Sequence, residues 1–302
     1  MRAERRFRAM GSDAHVVVTG DARLLDTAQQ RIDALESRWS RFRVDSELTR
    51  MNEAAGRPIV VSGDTVLLVT RCIEAWRATD GAFDPSVHDS VVALGYDRDF
   101  LTLPAGGPSL ARPGSPAPGL ADAVVDAAAG LVWLPPGVHL DAGAIGKGLA
   151  ADLVCQELLL AGADGACVGI GGDVRVAGSP GDRDAWSISI EDPRDPQREL
   201  TRIDLADGAV ATSSRLRRRW SRGGVELHHV IDPRTGSPVD TRTVAVSVVA
   251  RDAWWAEVRA TEAMLRRDPL DDVDDVDLLV VDEDGDIRAT DAFWKVLTCS
   301  RP

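Results

Sequence analysis

No CxxC pair occurs in this sequence: its four cysteines, Cys72, Cys155, Cys167 and Cys299, are scattered over 302 residues. That spacing excludes a zinc ribbon or a disulfide framework and predicts reduced, partly buried thiols. No apolar run suits a membrane span or a signal peptide; Val16-Val17-Val18, near the start, is a strand core and too short for either. No lipobox cysteine stands near Met1, so the chain is expected in the cytoplasm, without stable membrane insertion. Positive charge is not in excess either. A formal net charge of −13 argues against non-specific binding to nucleic acid or anionic lipid. An anionic ligand would need a local cluster of cations and backbone N–H donors. No repeat of solenoid period is present. With 44% hydrophobic and 27% charged residues the chain buries a real core, as one large domain or two small ones.

What is present centres on His228-His229-Val230-Ile231-Asp232-Pro233-Arg234-Thr235-Gly236-Ser237-Pro238. Pro233 donates no backbone hydrogen bond and drives Asp232 out of the helical region. His229 is therefore expected on the last part of a strand, before a rigid turn, where catalytic groups are held yet open to ligand. A capped hairpin with one surface and one half-buried histidine is the alternative.

In chain order, residues 7–19 read as a strand after an irregular start, with Met10-Gly11-Ser12 as a turn. Leu24, Leu25, Ala28, Ile32, Leu35 and Trp39 recur at helical spacing. A polar loop follows in which Asp45 or Ser46 caps a short helix, and Phe42 either plugs the core or stacks on a planar ligand. Residues 65–79 form a second helix with Val66, Leu67, Val69, Ile73 and Trp76 on its apolar face, ended by Asp80-Gly81. Five prolines in residues 104–119 mark a mobile insert.

A hairpin at Pro135-Pro136-Gly137 leads into Asp141-Ala142-Gly143-Ala144-Ile145-Gly146-Lys147-Gly148 and then a helix. These glycines allow close backbone approach, and Lys147 stands at a helix start, where anions are favoured. The segment is neither a Walker loop nor GxGxxG; it is a phosphate site or a plain strand-to-helix turn. Gly171-Gly172-Asp173 reads equally well as a hairpin turn. Five arginines between Ser214 and Arg222 are expected on a solvated hairpin face. Residues 252–266 form a helix with Trp254, Val258 and Leu265 inward. Asp282, Asp284 and Asp286 lack the Gly and Glu of an EF-hand and mark a turn.

In that order, Met10-Gly11-Ser12, Ser40-Arg41-Phe42, Thr79-Asp80-Gly81-Ala82-Phe83-Asp84-Pro85, the Asp141–Gly148 segment, Gly171-Gly172-Asp173, Ala211-Thr212-Ser213 and His229-Val230-Ile231-Asp232-Pro233-Arg234-Thr235-Gly236 resemble the ApbE family of FAD:protein FMN transferases. The resemblance implies an α+β fold of T-fold-like antiparallel sheets with packed helices, here one domain over residues 7–298. It implies that FAD is split with Mg²⁺, that FMN passes to a Ser or Thr hydroxyl of an acceptor protein, and that AMP leaves. Carried over by position, Met10, Phe42, Ala82, Phe83, Asp84, Asp141, Lys147 and Ile231 would line the FAD site. The backbone oxygen of Ala144 and the side chains of Glu257 and Thr261 would hold Mg²⁺, and His229 would move the proton. Glu257 stands where the family usually has Asp. Two other readings share these residues: an Mg²⁺-dependent FAD pyrophosphatase and a non-catalytic flavin-binding module.

Overall fold

The computed structural model describes residues 1–104, 106–107, 114–271 and 273–297. Part of the proline-rich stretch and the thiol expected at Cys299 lie outside them. The protein is α+β, and every strand pairing among the described residues is antiparallel. It divides into two compact units, one of Met1–Asp33, Lys147–Leu216 and Thr241–Pro302, the other of Ala34–Gly146 and Arg217–Asp240.

The first unit is built on an eight-stranded sheet in the order Arg2–Ala9, Ser12–Thr19, Gly165–Ile170, Asp173–Gly178, Gly208–Ser214, Thr243–Ala250, Asp277–Asp282, Ile287–Ala289. The start is not irregular, as expected, but an edge strand. Arg2, Glu4, Arg6 and Arg8 alternate outward while Arg5 is half-buried, and Met10 and Gly11, both at positive φ, close the hairpin with Ser12–Thr19. Val17, Val176, Val210, Leu279 and Val281 bury one face with Trp186, Ile188, Ile190, Ile203, Leu205 and Phe293. Helix Ala253–Leu265 packs on strands Gly208–Ser214 and Thr243–Ala250. Its buried residues run almost all round: Ala256, Ala260, Ala263 and Met264 carry the packing, while Trp254 and Leu265, expected inward, are only half-buried. Val258, also expected inward, is fully buried, and the small Ala residues let helix and sheet approach closely.

In the second unit helix Gly63–Ala78 is capped by Ser62, and helix Glu47–Asn52 by Ser46, whose side chain accepts from Thr49 N–H. Pro136-Gly137 turns the chain, but no strand follows it. Asn52 supplies the missing pairing instead: its side-chain oxygen accepts from Leu140 N–H at 2.8 Å and its amide donates to Leu140 O at 2.9 Å. Within residues 104–119 the described parts are tied down, with Ala117 N–H donating to Pro233 O and Gly119 N–H to Ser86 Oγ.

Candidate functional site

In the first unit the site residues gather where helix Gly146–Leu160 begins. Gly148 has no room for a side chain: a Cβ would meet Ala253 O at 2.4 Å. That contact sets the start of helix Ala253–Leu265 against Gly148. The Asp152 carboxylate completes the joint, accepting from Ala253 N–H at 2.8 Å and Trp254 N–H at 2.9 Å. Burial pushes the Asp152 carboxyl up to about 7 against those two bonds.

One turn into that helix lies Glu257, only 3% exposed, so it is not the surface residue that an exposed helix face would give. Its Oε2 accepts from Gly148 N–H at 2.8 Å and its Oε1 pairs with Lys147 Nζ. Lys147 Nζ also lies 3.2 Å from Asp173 Oδ2, and Asp173 is 2% exposed. Two buried carboxyl groups thus face one ammonium. Burial first, and Asp173 second, push the Glu257 carboxyl up to about 8; burial likewise raises Asp173. The cluster is short of positive charge. That deficit, with carboxylate oxygens and Thr261 four residues on, suits a hard divalent cation. Thr261 Oγ1 lies 3.2 Å from Ser213 Oγ. The Gly171-Gly172-Asp173 turn is a hairpin as read, yet it also aims Asp173 at Lys147. A Cβ on Gly171, at φ 62°, would come within 2.7 Å of Ser12 Oγ and 3.2 Å of Lys147 Cδ.

In the second unit Arg41, unassigned from sequence, organises the expected residues. Its Nε is 3.0 Å from Asp141 Oδ2, its guanidinium lies 4.2 Å from the Phe42 ring centre and 4.5 Å from that of Tyr96, and it donates to Tyr96 O. Burial would raise the Asp141 carboxyl, but Arg41, Gly143 N–H, His88 and Arg218 together hold it below its ordinary value. Asp84 caps the turn Pro85–Val87, its Oδ1 accepting from Ser86 N–H at 2.8 Å, while Oδ2 accepts from Trp76 Nε1. Burial raises its carboxyl despite these bonds. Asp141 N–H donates to Pro85 O at 2.8 Å, which joins the Asp84 turn to the Asp141 segment. Phe83 and Ile231 are core residues; Ala82, Phe42 and Ala144 are half-buried here, as is Met10 in the first unit.

His229 sits one residue past strand Val225–His228, at the bend before Ile231–Asp232, and both His228 and His229 are half-buried. Asp232 is held by Arg234, with 2.8 Å between Oδ2 and Nη2. The arginine run does form the hairpin Arg219–Arg222 with Val225–His228, but not all of it is solvated. Arg218, at φ 47°, donates to the Tyr96 hydroxyl at 2.6 Å and Arg222 to Gly95 O.

No helix among the described residues is long and apolar enough to cross a membrane. Among the described residues Cys72, Cys155 and Cys167 form no disulfide, and burial pushes Cys155 and Cys167 up to about 12.

The chain is similar to FAD:protein FMN transferases of Vibrio cholerae, 31% identical over 81% of this chain and 74% of that protein, and of Treponema pallidum, 32% identical over 82% and 74%. Among solved structures it is similar to the ApbE protein of Thermotoga maritima, with a TM-score of 0.84 at 26% identity over 99% of this chain and 100% of that one. The flavin transferase ApbE of Vibrio cholerae superposes with a TM-score of 0.79 at 26% identity, over 98% and 99%. The ApbE family model matches residues 10–269, which span both the lysine cluster and the histidine turn. The chain belongs to the ApbE family.

Proposed function

We propose that the chain transfers FMN from FAD to a Ser or Thr hydroxyl of an acceptor protein in an Mg²⁺-dependent reaction that releases AMP, with residues 7–298 acting as one domain. The observation that carries this reading is the buried Lys147–Asp173–Glu257 cluster on the glycine-lysine segment of a family whose relatives bear the transferase name. Met10, Phe42, Ala82, Phe83, Asp84, Asp141, Lys147 and Ile231 are assigned to FAD, with Phe83 and Ile231 acting as walls because they are buried. The Ala144 carbonyl and the Glu257 and Thr261 side chains are assigned to Mg²⁺. When bound, Mg²⁺ supplies a Lewis acid that offsets charge on the pyrophosphate.

Lys147, already held by two carboxylates, presents a fixed cation and needs no reorganisation as charge develops on the leaving AMP. His229, placed by the rigid Asp232-Pro233 turn, takes the proton of the incoming hydroxyl, which is a poor nucleophile until that proton leaves. Arg41 fixes Asp141 as a carboxylate able to accept from a ribose or ring N–H. The scattered spacing of the four cysteines is the sequence feature behind the cytoplasmic setting assigned to the chain and its acceptor.

Mass spectrometry of acceptor proteins incubated with the chain, FAD and Mg²⁺ tests the reading. The expected result is an acceptor Ser or Thr carrying FMN, with one AMP released per modification. AMP and free FMN without a modified acceptor would make the chain a pyrophosphatase.

A further inference from the structure

We propose that His88, Asp89 and His139 form a three-ligand site for a borderline transition cation of the zinc class, with a fourth position open. Asp89 Oδ1 lies 2.9 Å from His88 Nδ1 and 2.8 Å from His139 Nδ1, and Asp89 Oδ2 is 2.9 Å from the latter. The two imidazoles meet edge to face, with ring centres 5.8 Å apart. One ligand atom from each of the three residues falls within 4.8 Å of the others. Zinc bonds of about 2.0–2.2 Å at tetrahedral angles put ligand atoms roughly 3.3–3.6 Å apart. Each imidazole needs to move by less than about 1 Å to make room.

The chemistry of the set selects the ion. Two imidazoles and one carboxylate suit zinc, copper or nickel, whereas Mg²⁺ takes oxygen ligands. Burial acts most strongly on the Asp89 carboxyl and raises it, but the hydrogen bonds and charge of the two histidines together hold it below its ordinary value, which favours the carboxylate a ligand must be. The site is also built on fixed backbone. His88 and Asp89 open helix His88–Ala93 directly after the Asp84-capped turn, and His139 lies two residues before Asp141, whose N–H donates to Pro85 O. An ion here would clamp the Asp84 turn to the Asp141 segment. The proposal stands apart from the flavin reading, since none of its ligands is assigned to FAD or Mg²⁺.

Zinc titration of the full chain in a buffer holding excess Mg²⁺ tests the site by calorimetry and by counting zinc retained after gel filtration. The parent is expected to hold one zinc that His139→Gln loses. Affinity should fall by more than the roughly 10–100-fold that losing an outer partner of a metal ligand costs. His88→Gln should do the same, and serves alone if His139→Gln fails to fold by circular dichroism. Cobalt in place of zinc should give the visible bands of a four-coordinate ion in the parent and lose them in the variant. Equal zinc content and affinity in the parent and in a folded His139→Gln or His88→Gln chain would overturn the proposal.

Discussion

The two units each bury a carboxylate against a cation, and they do so with opposite balance. In the second unit Arg41 meets Asp141, with Gly143 N–H and two aromatic rings completing the setting, and the carboxyl is held down. In the first, Lys147 faces both Asp173 and Glu257, and both carboxyls are pushed up. A matched pair keeps its carboxylate ionised and fixed in place. An acid-rich cluster holds its second acid only as the neutral form or against a further positive charge, and strongly shifted groups of this kind gather at functional sites.

The sharpest way to separate chemistry from this electrostatic frame is His229→Ala, which removes none of the carboxyl groups or cations of either cluster. FMN transfer should fall by roughly 10²–10⁴ with FAD affinity little changed, measured by single-turnover kinetics and flavin titration. Transfer at the parent rate would make His229 structural.

Next in size is Lys147→Met, which strands two buried acids. Urea unfolding should show a loss of about 3–5 kcal/mol at pH 8. Much of that loss should vanish at pH 5, where the acids protonate. Arg41→Met strands one acid, should cost less at pH 8, and should recover only at lower pH because Asp141 starts from a lower value.

The clusters also predict opposite pH responses without Mg²⁺. Glu257 has a folded value of about 8, above its ordinary 4.5. Its contribution is therefore fully present below about 4.5 and is lost as pH rises toward 8. Asp141 is depressed, so its contribution is present above the ordinary carboxylate range and is lost as pH falls through its folded value. Glu257→Gln should flatten the decline between pH 5 and 8 in urea midpoints, and Asp141→Asn should leave that decline in place. The smallest effect is expected from Asp152→Ala, which removes the cap of helix Ala253–Leu265 and should cost about 1–2 kcal/mol.

Much of this was legible in the sequence where the signal is local. The Gly-Lys-Gly run announced a helix start with a cation, and helical spacing placed Ile32, Leu35 and Trp39 in the core. Glu257 and Thr261 were readable as one helix face because four residues make a turn. What sequence could not carry was pairing at long range. Arg41 looks like one more charge in a polar loop until Asp141, a hundred positions on, meets it. Asp173 is an ordinary hairpin residue until the sheet delivers it beside Lys147. Asp152 gives no sign of capping a helix that begins at Ala253. The edge strand Arg2–Ala9 was hidden by its charges, which suit an edge and obscure a β pattern.

The proposal that the Lys147–Asp173–Glu257 cluster binds a divalent cation is tested most directly by following thermal unfolding at pH 8 against Mg²⁺ concentration. The parent should gain stability as Mg²⁺ rises, and Glu257→Gln should need at least about tenfold more for the same gain, since loss of a charged ligand weakens a hard-cation site. Identical Mg²⁺ midpoints in parent and variant, or no response in either, would contradict the account.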